Sequence, residues 1–284
     1  MSGSPLYGEG QSRFARLLER REERRPDIAS RELRRRLLSG LRGRVVEIGC
    51  GTGPAFEHYG SGVERVLAVE PDPVARVAAA ESAAAAAVPI DVVEGFAERV
   101  PSEDGAFDAV VCIWVLCSVP DVAAALRELR RVLVPGGELR VYEHVRSPRA
   151  PFRAVQRAVD GLFWTRALGG CRTTRDTEAA IRAAGFVFDR IERGFQSSSL
   201  LTITAAPYIL GTARARATLV PGTGTLGARK PNPRIRMRYG WPVMKCQAPR
   251  STPAAATRTS TSSSPTCGTV TSRKSRTSAV PYVS

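Results

Sequence analysis

Several residue types are scarce in this 284-residue chain, and their scarcity narrows the functions that it could have. It has two histidines, and none of its six cysteines stands in a CxxC pair, so we expect no zinc or other metal site. No run of about 18 apolar residues occurs, so no transmembrane helix is expected. Residues 1–25 are polar and arginine-rich and lack the apolar segment of a secretory signal peptide. We therefore expect a cytoplasmic protein in which Cys50, Cys112 and Cys117, which lie in apolar surroundings, are reduced thiols.

Acidic residues are absent from position 213 onward, and lysine is absent before position 230. Residues 213–284 carry a charge of +13 out of the total of +15, so the rest of the chain is nearly neutral at +2. Residues 218–284 are also rich in Ser, Thr, Pro, Gly and Arg and lack a hydrophobic period, which predicts a disordered basic tail. A frameshift in the coding sequence would explain this tail, because GC-rich coding DNA read in a shifted frame gives such mixtures of residues. A natural arm that binds nucleic acid or an anionic surface is the alternative.

Short apolar runs alternate with helical patterns in the rest of the chain, which predicts an α/β fold with a mostly parallel sheet and helices on both faces. Residues 1–40 contain two charged amphipathic stretches and are interpreted as a helical cap on a domain of residues 41–217. The predicted strands are 44–48, 65–69, 90–93, 107–113, 138–143, 186–191 and 200–204. The predicted helices are 53–59, 72–87, 121–133, 149–166 and 174–184, besides one at 11–24 in the cap.

A glycine-rich loop, Glu47–Gly53 (EIGCGTG), follows the first predicted strand. Gly49 permits a tight turn, and Gly51 and Gly53 remove side chains where a ligand would approach the backbone. Glu70 ends the next strand, where an acidic residue can accept both hydrogen bonds of a ribose diol. Dinucleotide sites use the spacing GxGxxG, whereas this loop has GxGxG, which disfavours a dehydrogenase.

This loop resembles motif I of the class I S-adenosylmethionine (SAM) methyltransferases. Val93–Glu98 resembles their adenine-contacting loop, Phe107–Val111 their motif IV, and Leu133–Gly137 their LxPGG motif. The resemblance implies a Rossmann-like sheet whose last strand, represented by Pro207–Gly211, is antiparallel, with SAM as cofactor and S-adenosylhomocysteine as product. The cofactor-binding residues that it implies are Glu47, Gly49, Cys50, Gly51, Thr52, Gly53, Glu70, Pro71, Gly95, Phe96, Ala97, Glu98, Cys112 and Ile113.

One departure from the family pattern concerns adenine. Many relatives carry Asp where Phe96 stands, so the hydrogen bond to the adenine amino group would come from the backbone or from Glu98.

Three further segments resemble one subgroup of this family, whose animal members methylate small thiols: Trp114–Val119, Tyr142–Val145 and Gly169–Cys171. The resemblance implies a small-molecule acceptor, most simply a thiol, with a lipid amine or a quinol precursor as alternatives. His144, at the end of the fifth predicted strand, is the candidate catalytic residue because it could accept a proton from the acceptor. A purely structural histidine has equal weight.

The acceptor pocket itself is less well indicated by the sequence. Phe152, Phe163 and Trp164 could form an apolar wall of that pocket, although core packing is the simpler explanation. Arg172 and Asp176 could shape it, but a solvated charge and a helix cap are favoured. Cys171 is interpreted as a packed thiol.

A nucleic-acid-binding methyltransferase is the competing function suggested by the overall charge. The near-neutral body offers little electrostatic attraction for a polyanion, so we expect contact with nucleic acid only through the tail, if at all.

Overall fold

The computed structural model describes residues 28–165, 169–197 and 200–216. The predicted helix of residues 11–24 and the tail from residue 218 onward lie outside the described residues. The strands are β1 (Gly43–Ile48), β2 (Val63–Val69), β3 (Ile90–Val93), β4 (Phe107–Ile113), β5 (Leu133–His144), β6 (Phe186–Phe195) and β7 (Pro207–Ala215).

These strands form one sheet in the order β3-β2-β1-β4-β5-β7-β6. Neighbours from β3 to β5 pair in parallel, and β7 lies antiparallel between β5 and β6. The predicted mostly parallel sheet with an antiparallel last strand is therefore confirmed. The predicted turn Pro135–Gly137 lies within β5, where it causes the register shift between β4 and β5.

The helices are α1 (Ile28–Leu38), α2 (Pro73–Ala84), α3 (Val122–Val132), α4 (Ala150–Val159), which continues as a π-helical turn to Trp164, and α5 (Thr177–Ala183). Three of them begin at an aspartate that the sequence marks as a helix cap, and at α5 this is Asp176, which accepts a hydrogen bond from the N–H of Ala179. The Asp72 carboxylate accepts hydrogen bonds from the N–H groups of Val74 and Ala75, and Asp121 does the same for Ala123 and Ala124. These carboxylates satisfy N–H groups that have no partner within the helix.

Alternating side chains of the strands divide the core into two layers. Val46 and Ile48 of β1 pack on one face with Leu126 and Leu129 of α3. On the other face lies a second cluster that includes Val45 of β1, Leu33 and Leu37 of α1, and Ala79 of α2. The sheet is thus covered on both faces, as its continuous apolar strands require.

Two sequence predictions of secondary structure were wrong. Residues 53–59 form only a short 3-10 turn, Phe56–His58, because the loop turns back to bury Phe56 and Tyr59. The run Leu200–Thr204, predicted as a strand, is part of a 3-10 helix at Leu200–Ala205, and β7 pairs with β5 inside the sheet while β6 forms the edge.

Within the described ranges, no helix is both long enough and apolar enough to cross a lipid bilayer.

Candidate active site

A cavity lies at the carboxyl ends of β1, β2 and β4, close to the point where the chain connections diverge on either side of β1. Open α/β sheets bind ligands at this position. The cavity is lined by Arg34, Glu47, Ile48, Gly49, Cys50, Gly51, Thr52, Pro54, Ala55, Val69, Glu70, Pro71, Asp72, Ala75, Gly95, Phe96, Ala97, Ile113, Trp114, Val115, Ser118, Val119 and Gly169.

Glu47, near the end of β1, is the buried acid of this cavity. Its carboxylate accepts a 2.7 Å hydrogen bond from the Tyr59 hydroxyl, which is itself buried behind the loop. Burial raises the pKa of Glu47 to about 7, and the charge of Arg34 acts in the opposite direction. Glu47 can therefore change its charge near neutral pH when a charged ligand enters.

Glu70, just after β2, organises the other side of the loop. Its two carboxylate oxygens accept hydrogen bonds from the N–H of Gly51 at 2.9 Å and of Asp72 at 3.0 Å. Burial raises its pKa. A carboxylate has about four acceptor positions, so two remain for the hydroxyls of a ribose. This geometry fits the role that the sequence predicts for Glu70.

The loop glycines have different roles. Gly51 has φ +57°, and a Cβ built on it would meet nothing within 4 Å, so it leaves open space inside the cavity. Gly53 has φ +84°, but a Cβ there would come within 2.6 Å of the Phe56 ring. Gly53 thus permits internal packing rather than the approach of a ligand, contrary to the sequence interpretation.

The far wall of the cavity begins at Trp114, and the backbone after it is held by a residue from another strand. Trp114 has φ +58°, the one positive φ recorded for a non-glycine residue in the described ranges. The completely buried Glu143 of β5 accepts hydrogen bonds from the N–H groups of Val115, Leu116 and Cys117, at 2.9–3.1 Å. Burial raises the pKa of this carboxyl. Glu143 fixes the backbone that positions Trp114.

Arg34 is a residue that sequence reasoning missed. It projects from α1 into the cavity lining, is 4% exposed, and places its guanidinium 5.2 Å from the centre of the Trp114 ring. Among the described residues that line the cavity, Arg34 is the only one with a lysine or arginine side chain. The spacing of apolar residues in α1 could have placed position 34 beside the inward-facing Leu33 and Leu37, but nothing in the sequence linked it to the glycine loop.

Most predicted cofactor residues lie together in the cavity lining, but Gly53, Glu98 and Cys112 do not. Glu98 instead accepts a 3.4 Å hydrogen bond from the N–H of Asp121. Cys112 is completely buried in the core, where burial raises its pKa. Of the two predicted sources of an adenine contact, the structure places only the backbone beside Phe96 at the cavity. The residues that it brings together are Glu47, Gly49, Cys50, Gly51, Thr52, Glu70, Pro71, Gly95, Phe96, Ala97 and Ile113.

His144 ends β5 as predicted, but it lies behind the cavity wall. Its ring stacks on Trp114, with centroids 5.2 Å apart and planes inclined by 12°. Its Nδ1 faces the Sγ atoms of Cys117 and Cys171.

A second cavity, at the end of β5 and the start of β7, contains some of the residues that the sequence offers as the less favoured alternative for the acceptor pocket. Phe152 and Asp176 line it, and Asp176 pairs with Arg146. Trp164 packs in the interior instead, and Phe163 is half exposed. The three aromatic residues are therefore divided between core, surface and this second cavity, and for Trp164 the core packing that the sequence favours is confirmed.

Comparisons with known proteins give matches to a protein family and to individual relatives. A family model described as a methyltransferase domain matches residues 46–141. The thiol S-methyltransferase TMT1B of Homo sapiens is 34% identical over 205 residues, which cover 69% of this chain and 82% of the human protein. The ubiquinone biosynthesis O-methyltransferase of Sodalis glossinidius is 36% identical over 121 residues, covering 41% of this chain and 47% of that protein.

Among solved structures, a SAM-dependent methyltransferase of Thermotoga maritima matches with a TM-score of 0.53 at 23% identity, covering 72% of this chain and 97% of that one. At this identity the likeness concerns the fold alone.

Proposed function

The chain belongs to the class I SAM-dependent methyltransferases, and we propose that the acceptor of its methyl group is a small thiol. The observation that carries this proposal is the likeness to a thiol S-methyltransferase along 82% of that protein's length, well beyond the shared methyltransferase domain. We propose further that the cavity at the ends of β1, β2 and β4 holds SAM.

Residues that line the cavity match individual chemical groups of SAM. Glu70 retains acceptor positions for the ribose hydroxyls, and the open space at Gly51 allows the cofactor to approach the backbone. Glu47 offers a negative charge and Arg34 a positive one within the same lining, which suits the ammonium and carboxylate groups of a bound amino acid. When bound, SAM supplies an electrophilic methyl group on a sulfonium.

The chain's own contribution to catalysis is then mainly positional. A thiol that loses its proton to solvent is already a strong nucleophile, so the site has to align it and exclude water rather than activate it. With SAM held by Glu47, Glu70 and Arg34, the acceptor sulfur would take the methyl group as the bond to the sulfonium broke, which would give a thioether and S-adenosylhomocysteine. His144 stays a prediction as a proton acceptor, since Trp114 lies between its ring and the cavity.

The acceptor class is testable with the full chain, labelled SAM and a panel of alkyl thiols, catechol-type quinol precursors and lipid amines. We expect methyl transfer to thiols and production of S-adenosylhomocysteine. The likeness to ubiquinone O-methyltransferases makes transfer to a quinol hydroxyl the second candidate. Turnover of quinol precursors without turnover of thiols would overturn the thiol proposal and support the second.

The cofactor site is tested separately by calorimetry with SAM and S-adenosylhomocysteine. Glu70→Gln should weaken both ligands, because an amide nitrogen cannot accept from the Gly51 N–H or from a ribose hydroxyl. Glu64→Gln is the matched control, since Glu64 is exposed at the start of β2. Equal affinities of the two variants would remove Glu70 from the proposed site.

A further inference from the structure

Three side chains that can bind metals meet behind the cavity wall. Cys117 follows β4, His144 ends β5, and Cys171 ends the Gly169–Cys171 loop. The two Sγ atoms lie 3.8 Å apart, and His144 Nδ1 lies 3.8 Å from Cys117 Sγ and 3.6 Å from Cys171 Sγ. The proposed methyl transfer leaves the two thiols without a role.

The spacing of the three atoms matches the edge lengths of a tetrahedral zinc site. With zinc–sulfur bonds of about 2.3 Å and zinc–nitrogen bonds of about 2.0 Å, tetrahedral angles place the sulfurs about 3.8 Å apart and each sulfur about 3.5 Å from the nitrogen. The three observed distances are within about 0.3 Å of these values. An ion could therefore bind with only small shifts of the side chains.

The surrounding structure holds the three groups in place. Glu143 accepts the Cys117 N–H, and the Cys117 carbonyl accepts the N–H of Arg172, next to Cys171. A Cβ on Gly170 would come within 2.9 Å of the Ser118 carbonyl, so the loop can approach this closely only as glycine. Cys117 is completely buried and Cys171 is 6% exposed.

We propose that Cys117, His144 and Cys171 form a binding site for a soft divalent cation such as Zn²⁺. Binding displaces two thiol protons to solvent, and the two thiolates then balance the charge of the ion, which makes the site neutral and suited to burial. Three protein ligands leave the fourth tetrahedral position for water or a further ligand, the arrangement of catalytic rather than structural zinc sites. This inference goes against our expectation of no metal, which rested on spacing along the chain.

The test uses the full chain under reducing conditions, with Cys246→Ser and Cys267→Ser introduced so that thiols outside the described residues do not bind the probe. The purified protein is titrated with Co²⁺, whose thiolate complexes absorb by charge transfer, and the Co²⁺ is then displaced with Zn²⁺. We expect one bound equivalent and a charge-transfer band that Zn²⁺ abolishes. Cys117→Ser, Cys171→Ser and His144→Ala should each lose the band, whereas Cys112→Ser, which changes a buried thiol away from the cluster, should keep it.

A loss of fold is distinguished by a second readout, the melting temperature of each variant with and without added Zn²⁺. An ion that binds only the folded state raises the melting temperature, so the parent should shift and the three cluster variants should not. The proposal is overturned if the parent shows no charge-transfer band, or if a folded Cys171→Ser variant keeps both the band and the shift. Because Co²⁺ and Zn²⁺ binding is measured without an acceptor, these outcomes do not depend on the proposed thiol substrate.

Discussion

Glu47 should make SAM binding depend on pH near neutrality. Its carboxyl is 2% exposed, lines the cavity, and has a pKa raised by burial to about 7. The sulfonium and ammonium groups of SAM are positive, so their arrival favours the carboxylate over the carboxyl form. Below pH 7, binding should therefore be coupled to the release of a proton.

The size of the effect follows from the pKa. With a value of about 7, the carboxylate fraction is about 0.9 at pH 8 and about 0.1 at pH 6. If only the ionised form binds SAM, the apparent dissociation constant rises about tenfold between pH 8 and pH 6, or about 1.4 kcal/mol. Glu47→Gln removes the titrating group, so its affinity should be low and nearly independent of pH.

The same carboxyl should also make stability depend on pH. Its ionisation strengthens SAM binding but lowers the free energy of unfolding. Its pKa is about 7 in the folded chain against 4.5 for the unperturbed group, so the folded state holds this proton more tightly than the unfolded chain. The contribution of this carboxyl to the free energy of unfolding is therefore complete below pH 4.5 and is lost as the pH rises through 7. A pKa shift of this size lowers the free energy of unfolding by about 3 kcal/mol at pH 8 relative to the protonated carboxyl. A neutral glutamine can still accept the Tyr59 hydrogen bond, so Glu47→Gln should be more stable than the parent at pH 8 by up to this amount, with the difference vanishing near pH 4.

Calorimetry at pH 6 and pH 8 measures the binding effect, and urea unfolding at pH 4, 6 and 8 measures stability. Glu64→Gln, an exposed change on β2, serves as the control and should follow the parent in both assays. Parent SAM affinity that does not change between pH 6 and pH 8 would refute the linkage. So would a Glu47→Gln variant that is less stable than the parent at pH 8.

Two further predictions concern the cavity wall and the tail. Glu143→Gln should lower the free energy of unfolding by about 1–3 kcal/mol in urea titrations, because an amide cannot accept three buried backbone N–H groups. It should also weaken SAM binding, whereas an unchanged unfolding midpoint would show that these bonds do not hold the wall. A chain ending at residue 217 should keep its SAM affinity in calorimetry, since the sheet and every described lining residue precede that point. Loss of SAM binding in the shortened chain would show that residues 218–284 contribute to the domain.

The parallel part of the sheet could be predicted because its strands are buried on both faces. Such strands are continuous apolar runs, and the runs that include Val46 and Val110 are recognisable without any tertiary information. Asp72 and Asp121 marked helix starts because an N-cap acts over two or three residues. The segment before β7 was harder. Leu200–Thr204 has the composition of a strand, but it forms part of a 3-10 helix that contacts α4, and β7 is the strand that pairs with β5.

The glycine loop and Glu70 could be found in the sequence because they act within one βαβ unit. Arg34, Glu143 and the cysteine–histidine cluster could not, since each depends on segments that are distant in the sequence. Glu143 lies 26 to 28 residues beyond the N–H groups that it binds, and Cys171 lies 54 residues from Cys117. A glutamate in an apolar strand signals only that some partner must exist, because a buried charge without hydrogen bonds is too costly.

The segment from Trp114 to Ser118 connects the first cavity with the cluster of Cys117, His144 and Cys171. Trp114 lines the first cavity on one side and stacks on His144 on the other, and Ser118, next to Cys117, also lines this cavity. Because the Glu143 carboxylate binds three consecutive N–H groups between these positions, the segment should move as a unit rather than residue by residue. A ligand that shifts Cys117 or His144 would therefore act on Trp114, and a cofactor that presses on Trp114 would act on the cluster. By linkage any such coupling is reciprocal, so Zn²⁺ and SAM should change each other's affinity by the same factor.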